Sequence, residues 1–195
     1  MAIKYGFFNS VDGDRKYDAD DIGNYFLSLM SDGVLDTPET AMQVSASSGM
    51  SVSVAAGWAF VKCKYLHNTA AAIYTLADAD VVLNRIDRIV IRLDTANRAV
   101  SIAVKQGTAA TTPTAPALTR TSGGVWEMSL AQIYVGAGVT SISQENITDE
   151  RADNAVCGII SWQGNVNGLK FYKCTQAEYD AMSSHPENTV YIIVG

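Results

Sequence analysis

The sequence predicts a mainly β protein, and three observations carry that prediction. Charged residues make up 17% of the 195 residues while 48% are hydrophobic, so a core is available without the Glu, Lys and Arg that helices favour. Period-two alternation of apolar and small or polar residues recurs from residue 50 to residue 135. Against this, the first three-quarters of the chain hold one strong helical pattern.

That pattern is DADDIGNYFLSLMSDG, where Ile22, Tyr25, Phe26, Leu29 and Met30 share one face at i, i+3, i+4, i+7 and i+8. It predicts a helix near 19–31. Asp18 or Asp20 is placed to cap it and Gly33 to terminate it. Gly23 inside the helix costs about 1 kcal/mol relative to Ala, so packing must hold the helix in place.

After Pro38 the period changes. MSVSVAAG alternates Val52 and Val54 with serines, and WAFVKCKYL reads as a second strand or a hairpin bending near Lys62–Lys64. AIYTL offers a short strand with Ile73 and Leu76 as its apolar pair. The clearest hairpin is RIVIRL (Ile89, Ile91, Leu93 on one face) with AVSIAVK (Val100, Ile102, Val104), joined by DTANR. Residues 107–124, with two prolines, read as an extended loop long enough to pack on a neighbour or move. WEMSLAQIYV resumes alternation at Met128, Leu130 and Ile133, and GAGVTSIS turns into a further short strand. CGIISWQ is another β segment, followed by the turn-like GNVNG and the strand LKFYKC.

The end of the chain is a strand–helix–strand unit. Thr175 and Glu178 form a T-x-x-E capping box opening a helix over 176–183, Pro186 and Asn188 break it, and TVYIIV is a β-branched final strand. The expected division is a module over 1–155 and a small unit over 156–195.

Composition excludes several functions. The net charge is −6, and the first 40 residues hold eight acids against Lys4, Arg15 and Lys16. Without clustered Lys and Arg, nucleic-acid binding is not expected. No apolar run approaches membrane-spanning length, so no membrane insertion is expected. Cys63, Cys157 and Cys174 form no CxxC pair and read as buried thiols. Cys63 and His67, if extended, stand about 13 Å apart, too far for one zinc. The acidic DGDRKYDADD fails the calcium-loop pattern, with Tyr17 at its sixth position and Gly23 at its twelfth. His67 and His185 read as surface residues, with no nucleophile motif beside them. No catalytic residue, metal or cofactor is expected.

Taken together, YDADDIGNYFLSLMSDGV, GMSVSVAAGWAFV, the stretch from Val82 to Leu118, SLAQIYVGAGVTSISQENITDER and CGII resemble the tail-fibre, baseplate and receptor-binding proteins of phages and prophages of Gram-positive bacteria. The closing TQAEYDAM and NTVYIIVG look like a segment near the ends of phage tail proteins. The resemblance implies a β-sandwich-like module with a short N-terminal helix, a structural and non-enzymatic role in a phage tail, and docking to other tail or baseplate proteins. It implies location in the virion after assembly in the bacterial cytoplasm, and a homo-oligomer, with a trimer favoured. Docking is expected through the helix, with Tyr17, Asp18, Asp21, Tyr25 and Phe26 as candidate residues. At KCK, residues 62–64, relatives tend to carry a glycine turn. Relatives that bind receptors usually carry a long distal part, whereas about 40 residues follow the module here. The alternative is a short receptor-binding protein whose terminal unit contacts a host cell-wall saccharide, with Trp162, Phe171, Tyr172 and Tyr179 as candidates.

Overall fold

In the computed structural model of the chain, residues 6, 8–13, 16–160, 170–186 and 189–194 are described. With 39% strand and 11% helix, the protein is mainly β. It forms two units, Met1–Ser161 and Trp162–Gly195.

The first unit opens with helix α1 (Ala19–Leu29). Strands β1 (Gly33–Val34), β2 (Val44–Ala46), β3 (Ser51–Val54), β4 (Gly57–Val61), β5 (Lys64–Asn68) and β6 (Ala72–Thr75) follow. Longer strands β7 (Arg85–Asp94), β8 (Ala99–Lys105) and β9 (Val125–Val135) precede the short β10 (Ile147–Asp149). They make three antiparallel sheets of order β1-β4-β5, β2-β3-β6 and β10-β9-β7-β8.

All three sheets contribute to one core, which makes the unit sandwich-like. Val34, Ala59 and Val61 come from the first sheet, Val44, Val52 and Val54 from the second, and Ile89, Ile91, Leu93, Met128, Leu130 and Ile133 from the third. The alternation read from RIVIRL and AVSIAVK is realised as the β7–β8 hairpin, with Asp94 opposite Ala99. A bulge between Ile89 and Val90 in the β7–β9 ladder lets Leu130 and Ala131 both enter the core.

Polar residues are buried as well, and most of their side-chain groups find partners, Ser129 Oγ and Arg88 Nε being exceptions. On the core face of β7, Arg85 donates to both Asp87 carboxylate oxygens at 3.1 Å and to the carbonyls of Ala77 and Asp78. Asp87 also accepts from the Gly107 amide at 2.9 Å, so this pair fastens the start of the 107–124 segment. On the opposite face, Glu127 accepts from Arg92 at 3.0 Å, from the Thr119 amide at 2.7 Å and from Lys105. Arg88 pairs with Glu150 at 3.0 Å.

Several expectations are corrected. Residues 107–124 are tied to their own sheet, through Ala110 to the Asn84 carbonyl and Glu127 to that of Thr119. Helix α1 ends at Leu29, with Met30 already extended, and Gly33 serves β1 instead, where an added Cβ would overlap the Gly158 carbonyl. Ile73 points outward at 59% exposure, leaving Leu76 as the buried member of its pair. The strand expected in GAGVTSIS starts later, at β10. Cys157 is buried in the core, Val34 donates to the Gly158 carbonyl and accepts from the Ile160 amide, and these residues belong to the first unit.

The second unit has β11 (Lys170–Cys174), α2 (Gln176–Asp180) and β12 (Thr189–Ile193), with β11 and β12 parallel. The predicted strand–helix–strand is present, although α2 is shorter than 176–183. GNVNG lies outside the described residues.

Candidate functional site

The candidate docking residues sit on α1 and its approach. Asp18 is the N-cap, its Oδ1 accepting from the amides of Asp20 and Asp21 at 2.9 Å. Asp21 returns the bond, accepting from the Asp18 amide at 3.3 Å, so two aspartates build the capping box. Tyr17 binds the backbone of Phe8, its hydroxyl accepting from the amide at 3.0 Å and donating to the carbonyl at 3.3 Å. These three residues shape the helix start. Tyr25 and Phe26 are the outward pair, exposed by 46% and 43%, with rings edge to face at 5.9 Å.

Ile22, Tyr25 and Phe26 of the apolar stripe are thus exposed while Leu29 and Met30 are half-buried. Much of the apolar face of this amphipathic helix is therefore open among the described residues. The helix meets the β4–β5 hairpin through its other stripe. Asp20, Gly23 and Asn24, at i, i+3 and i+4, meet the β4–β5 turn. Asp20 takes the Lys64 ammonium at 2.7 Å, Asn24 accepts from the Cys63 thiol at 3.5 Å, and Gly23 is the buried residue of the helix. Ile22, absent from the sequence-derived set, is exposed by 49% beside Phe26 at i+4.

The KCK turn explains why the helix docks here. Lys62 and Cys63 both have positive φ, 43° and 68°, giving the two-residue turn that suits a hairpin but normally takes glycine. Asp32 holds Lys62 in that shape, accepting from its amide at 2.8 Å and pairing with its ammonium at 2.6 Å.

A second outward surface lies on the β4–β5 hairpin. Trp58 stacks on His67 with ring centroids 3.6 Å apart, and Tyr65 stands 5.7 Å from Trp58 with 70% of its surface exposed. Part of the signal was present in the sequence, since Trp58 precedes the core residue Ala59 and the strand period turns it to the other face. Phe60 on that same face is nevertheless buried.

In the second unit Tyr179 packs on Tyr191 at 4.9 Å and on His185 at 4.1 Å, while Tyr172 is exposed by 52%. Trp162 and the Phe171 side chain lie outside the described residues. Among the described residues no group of three or more His, Cys, Asp or Glu side chains is placed to hold a metal, and no helix is long and apolar enough to cross a membrane. The site thus offers outward apolar and aromatic surfaces on a β scaffold. No family model, curated protein or solved structure matches the chain.

Proposed function

We propose that the protein is a non-enzymatic structural component of a phage tail that joins tail or baseplate components, with α1 as its docking element. The outward apolar stripe of α1 carries this reading. Ile22 and Phe26 stand 49% and 43% exposed while the polar stripe of the same helix is spent on the hairpin. An amphipathic helix laid into a partner's apolar groove is a common recognition mode, read as anchors at i, i+3 and i+4. Trp58 and Tyr65 on the adjoining hairpin add aromatic area of the kind that dominates interface energetics.

The test is assembly. Ile22→Asp combined with Phe26→Asp changes exposed side chains outside the contacts of α1 with the β4–β5 turn. The variant is expected to fold with the melting temperature of the parent and to be missing from purified tails, as read by electron microscopy and gel analysis. Normal incorporation of the folded variant would end the docking role of this face.

A further inference from the structure

A cleft of about 430 Å³ in the first unit is lined by Ser31, Asp32, Lys62, Arg120, Trp126 and Asn154, with Met128 and Cys157 at its base. That volume lies within the range of small-ligand pockets. Four separate pieces of chain build it: the segment after α1, the β4–β5 turn, the end of the 107–124 segment with β9, and the loop after β10.

Its cations are fixed in advance. Lys62 Nζ lies 4.2 Å from the Trp126 ring centroid and Arg120 Cζ 5.5 Å from it. Arg120 donates from Nε to the Glu127 carbonyl at 3.3 Å, from Nη1 to that of Ala155 at 2.8 Å and from Nη2 to that of Val156 at 3.0 Å. A guanidinium has five N–H groups and an ammonium three. After these bonds and the Asp32 pair, Arg120 and Lys62 each keep two donors. Lys62 and Arg120 against Asp32 leave the lining one unit positive, in a chain whose net charge is −6. Around the cations stand the Asp32 carboxylate and the Asn154 amide, which together accept and donate as sugar hydroxyls require.

The geometry points to a binding site for a small hydroxylated anion, an acidic sugar unit bearing a carboxylate or a phosphate, with the anion between Lys62 and Arg120. The site is independent of the docking role of α1 and of the C-terminal unit. Pre-positioned cations bind an anion without first being ordered, which is where affinity is usually lost.

The test is an NMR titration of the full chain with glucuronate, glucose 6-phosphate, glucose and inorganic phosphate, following the Trp126 indole N–H assigned through Trp126→Phe. Both acidic sugars are expected to shift this resonance saturably at millimolar concentrations, more weakly at high salt. Which of the two binds more tightly identifies the acid group. Lys62→Gln should weaken binding about tenfold, while Asp32→Asn, which releases Lys62 and keeps an acceptor for its amide, should tighten it. Tyr172→Ser should change nothing. Absence of saturable shifts with either acidic sugar, or unchanged binding in both cleft variants, would overturn the assignment. Inorganic phosphate binding as tightly as the sugars would overturn the hydroxyl recognition, and loss of binding in Tyr172→Ser would move the site to the other unit.

Discussion

Gly23 of α1 rests on Cys63 at the tip of the β4–β5 hairpin, so closely that an added Cβ would lie 2.7 Å from both the Cys63 Cβ and its carbonyl oxygen. The contact joins the one glycine buried in the helix to a turn residue held in left-handed conformation. Neither element holds its shape on propensity alone, since glycine weakens the helix and two non-glycine residues burden the turn.

Gly23→Ala is therefore expected to loosen the helix, although Ala is the better helix former by about 1 kcal/mol. The methyl has to displace backbone at Cys63, which gives less readily than a flexible side chain. Hydrogen exchange should show faster amides over 19–29 and little change over 85–135. Slower exchange across 19–29 would show that the helix does not pack through Gly23.

Glu127 should make stability acid-sensitive. Burial on its own raises its pKa, but the Lys105 and Thr119 hydrogen bonds and the Lys105 charge outweigh it and hold the group below its ordinary 4.5. A depressed folded-state pKa contributes stability that is full above the unfolded value and is lost as pH falls through the folded one. Glu127→Gln is expected to cost about 2 kcal/mol at neutral pH, discounted for the half-exposed Arg92, and to flatten the decline below pH 4.5. Chemical denaturation of both proteins from pH 3 to pH 7 checks this (the range spans about a unit or more on either side of the ordinary value). An equally steep acid decline in the variant would assign the effect elsewhere.

The thiols should separate by access. Burial, reinforced by Asp149, pushes Cys157 up to about 12, and burial also raises Cys63 despite the neighbouring Lys64. Cys63 is partly exposed at a turn tip, while Cys157 is buried in the core. Alkylation of the native protein near neutral pH is expected to modify Cys63 well before Cys157, as peptide mapping would show. Modified Cys63 should also release α1, because its thiol meets Asn24. Equal labelling rates would contradict the burial of Cys157.

Much of this fold was legible because alternation reports directly on which strand face meets the core. Ile89, Ile91, Leu93, Met128, Leu130 and Ile133 are all buried as the pattern indicates. The helix was legible in position and capping but not in orientation. Apolar periodicity assumes that apolar side chains make the contact, whereas α1 meets the turn through Gly23 and the polar side chains of Asp20 and Asn24. Glu127 and Arg85 look like solvent-facing residues in the sequence and are buried at 1% and 3% exposure because distant segments supply their partners. Lys62, Arg120 and Trp126 share no spacing that could announce a cleft, since the turn and loops bring them together only in the folded chain.

The last prediction concerns the C-terminal unit. The Thr175 hydroxyl accepts from the Glu178 amide at 3.2 Å, and the Glu178 carboxylate accepts from the Thr175 amide at 2.8 Å, completing the box expected from T-x-x-E. The Thr175 amide, and the Thr175 hydroxyl at 3.0 Å, both meet the Glu178 carboxylate and hold it below its ordinary value. Helix α2 has five residues, too few to persist without its cap and its packing. Thr175→Ala is expected to cost about 1 kcal/mol locally. The effect should spread to β12, because Tyr179 of the helix packs on Tyr191 of that strand at 4.9 Å. Hydrogen exchange should therefore quicken over 176–180 and 189–193 together, while residues 50–135 keep their protection, the two units having separate cores. If amides over 50–135 loosen as much as those in the C-terminal unit, the two units unfold as one and the division after Ser161 has no energetic meaning.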